Sequence, residues 1–369
     1  MKICMISGFA KYPGGVENVV NELSGYMIKE GSKVTIIGRY TKDFVERGQN
    51  CTKIGLLPYS VLPPKLRFAQ YDKYAYNLKA YKRIRAHGPF DIIHGHGDNC
   101  FFSSLLRNNK PFVMTFHGTM KGGLQRKYGS KINPRLYPVF FPEKIAALRC
   151  DLAIACSMAV KKELISIYGI NPNKISIIYN GVDTSVFRPF DKKSARRFLG
   201  LPENKKFGIW VGTNPRLKRL TLAIESVNGL KDTFLLVVGA KGVNFDNVVF
   251  CGTVYDKQLM STYYNSADFL IFPSSYEGFP LVPLEALACG LPIIVSKESN
   301  SGEIIEESVH GFVIDSNRSV YYKEKVEFLV NNDSLRNKMS VECRELALNY
   351  SWDKQGEKYL QAYKRLLKS

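Results

Sequence analysis

Short, continuous apolar runs closed by glycine or polar residues alternate with helix-period segments along nearly the whole chain. In the first half KICMISG (2–8), KVTIIG (33–38), DIIHGHG (91–97), FVMTFHG (112–118) and DLAIACS (151–157) are such runs. They lack the in-out alternation of a half-solvated strand, so they predict parallel strands covered on both faces. Between them, 16–29, 100–106 and 158–169 have the composition and length of helices. Strand–helix alternation of this kind predicts a doubly wound α/β domain. The pattern breaks at KISIIYNGVDTSVFRP (174–189), where a strand-like ISIIY meets an Asn180-Gly181 turn and then a proline. It restarts with KFGIWVG (206–212), a helix over 220–227, TFLLVVG (233–239), NVVFCG (247–252), ADFLIFPSS (267–275) and GLPIIVS (290–296), a second α/β domain. Helices are expected near 321–331, over 333–348 and, as an amphipathic tail, over 352–367.

Length agrees with two domains, since 369 residues exceed one ordinary core. No run of eighteen apolar residues occurs, and the N-terminus reads as a strand rather than a signal peptide. The eight cysteines are scattered with no C-x-x-C pair, which fits a reduced cytoplasmic protein. Charge changes the picture more. The chain carries +19, and residues 1–175 hold 27 Lys and Arg against 11 Asp and Glu. Within that half, 65–85 has seven basic residues and one acidic, interleaved with Phe68, Tyr71, Tyr74, Tyr76 and Tyr81. The stretch 121–135 adds five basic residues and no acidic one. A one-sided basic, aromatic face suits an anionic membrane surface or another polyanion, placing the protein peripherally at the cytoplasmic face of a membrane. The alternative is a merely soluble basic surface.

The most informative stretch is EGFPLVPLEALACG (277–290). It follows a buried-strand run and precedes another, so Glu277 is expected in a loop at the carboxyl end of a strand, where open α/β sheets bind ligands. Glu285 is expected on the next helix, about two turns in. An ionised carboxylate only accepts hydrogen bonds and can do so bidentately, which suits vicinal hydroxyls. The turn amides of Gly278 and Phe279 are further donors. A solvated pair on an amphipathic helix is the competing account, and the pair, turn and small-residue helix together outweigh it.

This segment resembles the signature of glycosyltransferase family 4, retaining enzymes of GT-B architecture with two Rossmann-like domains facing a central cleft. The family motif is a Glu, seven residues and a second Glu, a spacing that Glu277 and Glu285 match. The resemblance implies that Glu277 sits by the donor sugar and Glu285 grips the nucleotide ribose. It extends over most of the chain: an acceptor domain over 1–178, a donor domain over 179–351 entered through NGVD, and a tail over about 352–369 that crosses back onto the first domain. In VGTNPRLKR (211–219) the family has Gly-Arg with a Lys five positions beyond. Lys218 matches that lysine, but Thr213 stands where the arginine is expected. Arg216 or Arg219 is then the candidate for the missing phosphate-binding charge.

Other candidates are read the same way. Gly14-Gly15 follows the first strand and precedes a helix, so its amides can approach an anion, though it is not G-x-G-x-x-G. The family's glycine-rich loop lies against donor phosphate and acceptor, which implies acceptor contacts for Gly14, Glu17 and Asn18 and a donor contact for Gly15. His117 ends a strand, and the resemblance puts it near the donor sugar. His94-Gly95-His96-Gly97-Asp98 has a zinc-hydrolase look, but Asn99 follows where that motif needs His, so a metal site is not supported. His94 and His96 are instead expected to line the cleft beside the acceptor. In SNSGEIIE (299–306) a helix start is expected to turn amides around Gly302 and Glu303 toward the donor diphosphate.

Together these predict a retaining, metal-independent glycosyltransferase with no cofactor. Its donor would be a UDP- or GDP-sugar and its acceptor a glycan, lipid or small molecule. No D-x-D triplet is present to bridge a diphosphate through a metal. A nucleic-acid-binding protein would explain the charge but not the glutamates, and no nucleic-acid motif is visible. A sugar-nucleotide epimerase or a phosphorylase shares the architecture, and a glycosidase pair would need a water beside Glu285.

Overall fold

The computed structural model describes residues 1–9, 14–40, 42–56, 69–97, 100–105, 110–128, 137–242 and 245–368. The chain divides into two compact units, Met1–Tyr179 with Gln355–Ser369, and Asn180–Lys354.

The first unit holds strands β1 (Lys2–Phe9), β2 (Lys33–Arg39), β3 (Phe44–Arg47), β4 (Cys51–Leu56), β5 (Ile92–His96), β6 (Phe112–Phe116), β7 (Leu152–Ala155) and β8 (Ile175–Ile177). They form one sheet in the order β3-β4-β2-β1-β5-β6-β7-β8, parallel throughout except for the antiparallel β3–β4 pair. Its helices are α1 (Gly15–Lys29), α2 (Ala69–His87), α3 (Phe101–Leu105), α4 (Met120–Tyr128), α5 (Tyr137–Arg149) and α6 (Met158–Glu163). Strands β5 and β6 are buried at every position, as the unbroken apolar runs require.

The second unit runs α7 (Lys192–Phe198), β9 (Lys206–Val211), α8 (Leu220–Val227), β10 (Thr233–Val238), β11 (Val248–Gly252), α9 (Lys257–Ser266), β12 (Phe269–Phe272), α10 (Leu281–Ala288), β13 (Ile293–Ser296), β14 (Gly311–Ile314), α11 (Ser319–Val330) and α12 (Asp333–Leu348). Its sheet, β11-β10-β9-β12-β13-β14, is wholly parallel. The order reverses beside β9 and β12, a topological switch point. Trp210, Phe269, Ile271, Ile294, Tyr322 and Met339 belong to one apolar cluster of buried side chains in this unit. Helix α13 (Trp352–Lys368) begins in the second unit, and from Gln355 onward belongs to the first. There Tyr359 and Tyr363 are fully buried. Among the described residues no helix is long and apolar enough to cross a membrane.

Several expectations need correction. The helix over 158–169 is α6 followed by a π-helical turn, Leu164–Tyr168. SNSGEIIE starts no α-helix; it makes two three-residue 3-10 turns, Lys297–Ser299 and Ser301–Glu303, parted by Asn300 in the left-handed region. An L residue there ends helical propagation, so Gly302 and Glu303 carry no helix dipole. Glu285 is the fifth residue of α10, little more than one turn in. In α2, Tyr76 is buried with its hydroxyl donating to the Ser7 carbonyl at 2.7 Å, so it belongs to the core and not to a basic face. Lys65, Arg67, Phe68, Leu106 and residues 129–135 lie outside the described residues, as do Asp98 and Asn99.

Candidate active site

In the second unit the site forms where β9 and β12 end side by side. Gly212 closes β9 and leaves no room for a side chain: a Cβ there would meet Lys218 Cδ at 2.2 Å. Gly239, after β10, has φ +94°, and a Cβ on it would strike the Gly212 carbonyl oxygen at 2.7 Å. These two close approaches let the loop 213–219 fold back so that Lys218 lies over the strand ends. Its carbonyl accepts from Trp210 Nε1 at 3.0 Å, and the neighbouring Leu217 carbonyl accepts from Ser275 N at 2.9 Å. The loop after β9 is thereby tied to the loop after β12.

Lys218 Nζ donates to Glu277 Oε1 at 2.9 Å and stands 4.5 Å from the centre of the Phe272 ring. Ser274 Oγ donates to the same carboxylate oxygen at 2.8 Å. Lys218 and Glu277 are 17% and 19% exposed, enclosed enough for the pair to be held yet open to a ligand. Asn300 Nδ2 donates to the Glu277 carbonyl at 2.6 Å, and Asn180 Nδ2 donates to the Phe279 carbonyl at 2.6 Å. The Glu277-Gly278-Phe279 turn is thus held by amide side chains 23 and 99 residues away. Glu285 keeps part of its surface open, and Tyr264 hydroxyl donates to its Oε2 at 2.9 Å. Crowding by protein atoms pushes this carboxyl up from its ordinary value, against the opposing pulls of Tyr264, Lys257 and Lys218.

The candidate phosphate-binding cations separate. Arg219 has φ +46°, and its guanidinium is paired with Glu298 at 2.5 Å. Arg216 and Thr213 are exposed. Gly302 is packed against Val313, which a Cβ would meet at 2.9 Å, so it is a packing glycine.

In the first unit, α1 begins at Gly15, and Gly14 N donates to Glu17 Oε2 at 3.1 Å. Glu17 therefore caps its own helix, and its carboxylate occupies the place an anion was expected to take. Asn18 lies one residue on, half-buried. His94 does not face a ligand. It is fully buried, and its nitrogens are shared with Thr115 Oγ1 at 2.8 Å and the Tyr363 hydroxyl at 2.5 Å. It ties β5 to β6 and to α13, where Tyr359 hydroxyl also meets Thr115 Oγ1 at 3.3 Å. His96 Nδ1 is 3.2 Å from His117 Nε2, the two rings stacked at 16°. Burial lowers His94 to about 3, His117 to about 4 and His96 well below its ordinary value. All three imidazoles are neutral at pH 7. Among the described residues no group of three or more His, Cys, Asp or Glu is arranged to hold a metal ion.

Sequence reading found Glu277, Glu285 and Lys218 but missed Ser274, Tyr264 and Asn300 as their partners. Asn180 had registered only as part of a turn. Tyr264, Asn300 and Asn180 act through contacts 21, 23 and 99 residues along the chain, which no local pattern marks, whereas Ser274 stands only three residues before Glu277.

Two α/β units, with Lys218 and Glu277 paired at the switch point of the second sheet, have the architecture that the resemblance to GT-B glycosyltransferases implied. A model of Glycosyltransferase Family 4 matches residues 13–186, and one of Glycosyl transferases group 1 matches residues 191–345. The chain belongs to this glycosyltransferase family. It is 22% identical to a D-inositol 3-phosphate glycosyltransferase of Nocardioides sp., over 95% of this chain and 85% of that one. Its fold matches sucrose-phosphate synthase from Thermosynechococcus elongatus with a TM-score of 0.84 at 21% identity, covering 99% of this chain and 98% of that one. HepE of Anabaena, solved in complex with UDP and glucose, matches with a TM-score of 0.76 at 16% identity, covering 99% of each chain.

Proposed function

We propose that this glycosyltransferase retains anomeric configuration, needs no metal, and takes a UDP- or GDP-sugar as donor. The observation that carries the reading is the Lys218–Glu277 pair at the end of β12, with Glu285 on the helix that follows. HepE, of like fold, is described with UDP and glucose, which supports a nucleotide sugar as donor. Glu285 accepts from the ribose hydroxyls. Glu277 orients the sugar and stabilises positive charge at its anomeric carbon. Lys218, on meeting the diphosphate, exchanges its carboxylate partner for the departing phosphate oxygens, with Arg216 the open cation beside it. The bond from anomeric carbon to phosphate oxygen breaks, the acceptor oxygen bonds to the same face, and a released phosphate oxygen takes the acceptor's proton. Metal independence rests on the lack of a D-x-D triplet.

A thermal-shift panel of UDP-, GDP- and ADP-sugars tests the donor class, because a ligand specific to the folded state raises the melting temperature. Glu285→Ala removes two charge-assisted hydrogen bonds and is expected to weaken nucleotide binding ten- to a hundredfold. Unchanged affinity removes the ribose assignment.

The acceptor is a glycan, lipid or small molecule, reached at an anionic membrane surface. The excess of 27 basic over 11 acidic residues in 1–175 supports that placement. Sedimentation with anionic vesicles is expected to take the protein down at low ionic strength and release it at high salt. Recovery in the supernatant at low salt defeats the idea.

A further inference from the structure

A groove of about 490 Å³ lies wholly within the first unit, between the outer strands β7 and β8 and the second half of α13. It follows β8 from Asn173 before the strand to Ile178 after it. Because β8 is the last strand of its sheet, this is an edge groove, set apart from the carboxyl ends where open α/β sheets hold substrates. Ile178 N donates to the Ala155 carbonyl of β7 at 3.0 Å, so the preceding residue, Ile177, turns its own N–H to the open side of the sheet. On the helix, Lys358, Ala362 and Arg365 are spaced i, i+4, i+7 and form one stripe along the groove. Tyr359 and Tyr363 leave on a different face, buried toward Thr115 and His94.

The two sides differ in chemistry. Half-buried Leu152, Ile177 and Ala362 give the groove an apolar floor, while Lys174, Lys358 and Arg365 are exposed at its rim. Its one acidic residue, Asp151, already accepts from Phe112 N at 2.8 Å. Lys358 Nζ meets only the neutral Gln355 Oε1, at 3.2 Å, and nearby Glu357 Oε1 takes the Gln361 amide at 3.1 Å. Lys174 and Arg365 have no acidic partner among the described residues. Solvated lysines, one of them guarding a short sheet edge against pairing, are the competing account. That explains Lys174, but not unpaired cations of helix and strand facing each other across an apolar floor. The volume is that of a small-molecule site and exceeds the needs of a lone inorganic anion. A phosphate ester has three oxygens with which to meet several cations, and Arg365 can hold two of them at once. An apolar chain laid over the floor removes that surface from water. We propose that this groove binds one phosphate ester of a long apolar chain, its phosphate against Arg365, Lys174 and Lys358 and its chain over Leu152, Ile177 and Ala362. The site depends neither on the donor reading nor on the membrane placement above; it adds a single-molecule anionic lipid site to a face of the first unit.

The probe is dodecyl phosphate below its micelle threshold, titrated calorimetrically into the full chain, with inorganic phosphate and the uncharged dodecyl maltoside as comparisons. Dodecyl phosphate is expected to bind one to one, about a hundredfold more tightly than inorganic phosphate, the chain supplying the difference. In isoleucine-methyl NMR the Ile177 signal should shift as the site fills. Lys174→Glu with Arg365→Glu reverses two exposed charges, should leave the melting temperature in place, and is expected to weaken binding about thirtyfold. Ala362→Trp fills the floor and should weaken dodecyl phosphate while leaving inorganic phosphate unchanged. No saturable binding of dodecyl phosphate overturns the proposal. So does equal affinity for inorganic phosphate or for dodecyl maltoside, which removes the apolar or the anionic half of the recognition. Affinity that survives the double charge reversal places the ligand elsewhere and overturns it too, even should Ala362→Trp fail to fold. A protein that sediments with anionic vesicles yet ignores dodecyl phosphate keeps the membrane placement and loses this site, so the two readings fail separately.

Discussion

Lys218→Ala is expected to lower turnover of the sugar nucleotide by about a hundred- to a thousandfold, the loss usual for one preorganised donor to a developing oxyanion, roughly 3 kcal/mol. The geometry argues that the loss is one of catalysis and not of folding. The Lys218–Glu277 pair is partly open to water, and such pairs contribute little to stability, about 0–1 kcal/mol. Removing the ammonium leaves Glu277 with Ser274 Oγ as a hydrogen-bond donor, so the carboxylate is not stranded. The melting temperature should therefore move by a few degrees at most while the rate collapses. Lys218→Arg keeps the charge but crowds the space that Gly212 clears, and should recover only part of the activity. A near-normal rate for Lys218→Ala discards the phosphate clamp. Loss of rate matched by loss of folded protein assigns Lys218 to structure instead.

Acid should unfold the first unit long before its carboxylates are protonated. Burial holds His94 at about 3 and His117 at about 4 in the folded chain, with His96 also far below 6.5. In the unfolded chain each titrates near 6.5. Below that pH the unfolded state takes up protons that the folded state refuses. Stability therefore falls with falling pH, at up to about 4 kcal/mol per pH unit for three such sites, until the folded pKa values are reached. Total stabilities of about 5–15 kcal/mol leave little margin below pH 5. The second unit has no comparable cluster among its described residues. Its buried Asp268 is pushed up by burial but held low overall by Lys192 and Arg196, and its contribution is lost only below about pH 4. Urea unfolding from pH 7 to 5, with hydrogen exchange to separate the units, should show the first unit losing protection first. His96→Asn should reduce the slope by about a third. A first unit equally stable at pH 7 and pH 5 would mean that the three rings are not neutral burials.

The pattern of the chain carried the fold further than the site. Every long apolar run became a parallel strand, its bounds within three residues, because a strand covered on both faces must be apolar at each position, and that demand is written locally. Strands β3, β4 and β14 and helices α2, α4, α5, α7 and α9 were not anticipated. Their sequences lack so strict a demand: α2 mixes buried Tyr76 and Ala80 with many charged positions. Glu277, Glu285 and Lys218 were legible because a turn, a spacing and a strand end lie within a few residues of each. Their surroundings were not.

What the sequence determined by itself, then, is a two-part α/β chain with paired glutamates after a buried strand, since hydrophobic period and motif spacing are short-range properties. Only the tertiary structure decided that Lys218 bonds Glu277 across 59 residues, that Asn180 holds the Phe279 carbonyl across 99, and that His94 joins α13 across 269. The physical reason is that a polar side chain's role depends on which partner reaches it first. For buried groups that partner is supplied by packing, from parts of the chain that carry no mark of the meeting.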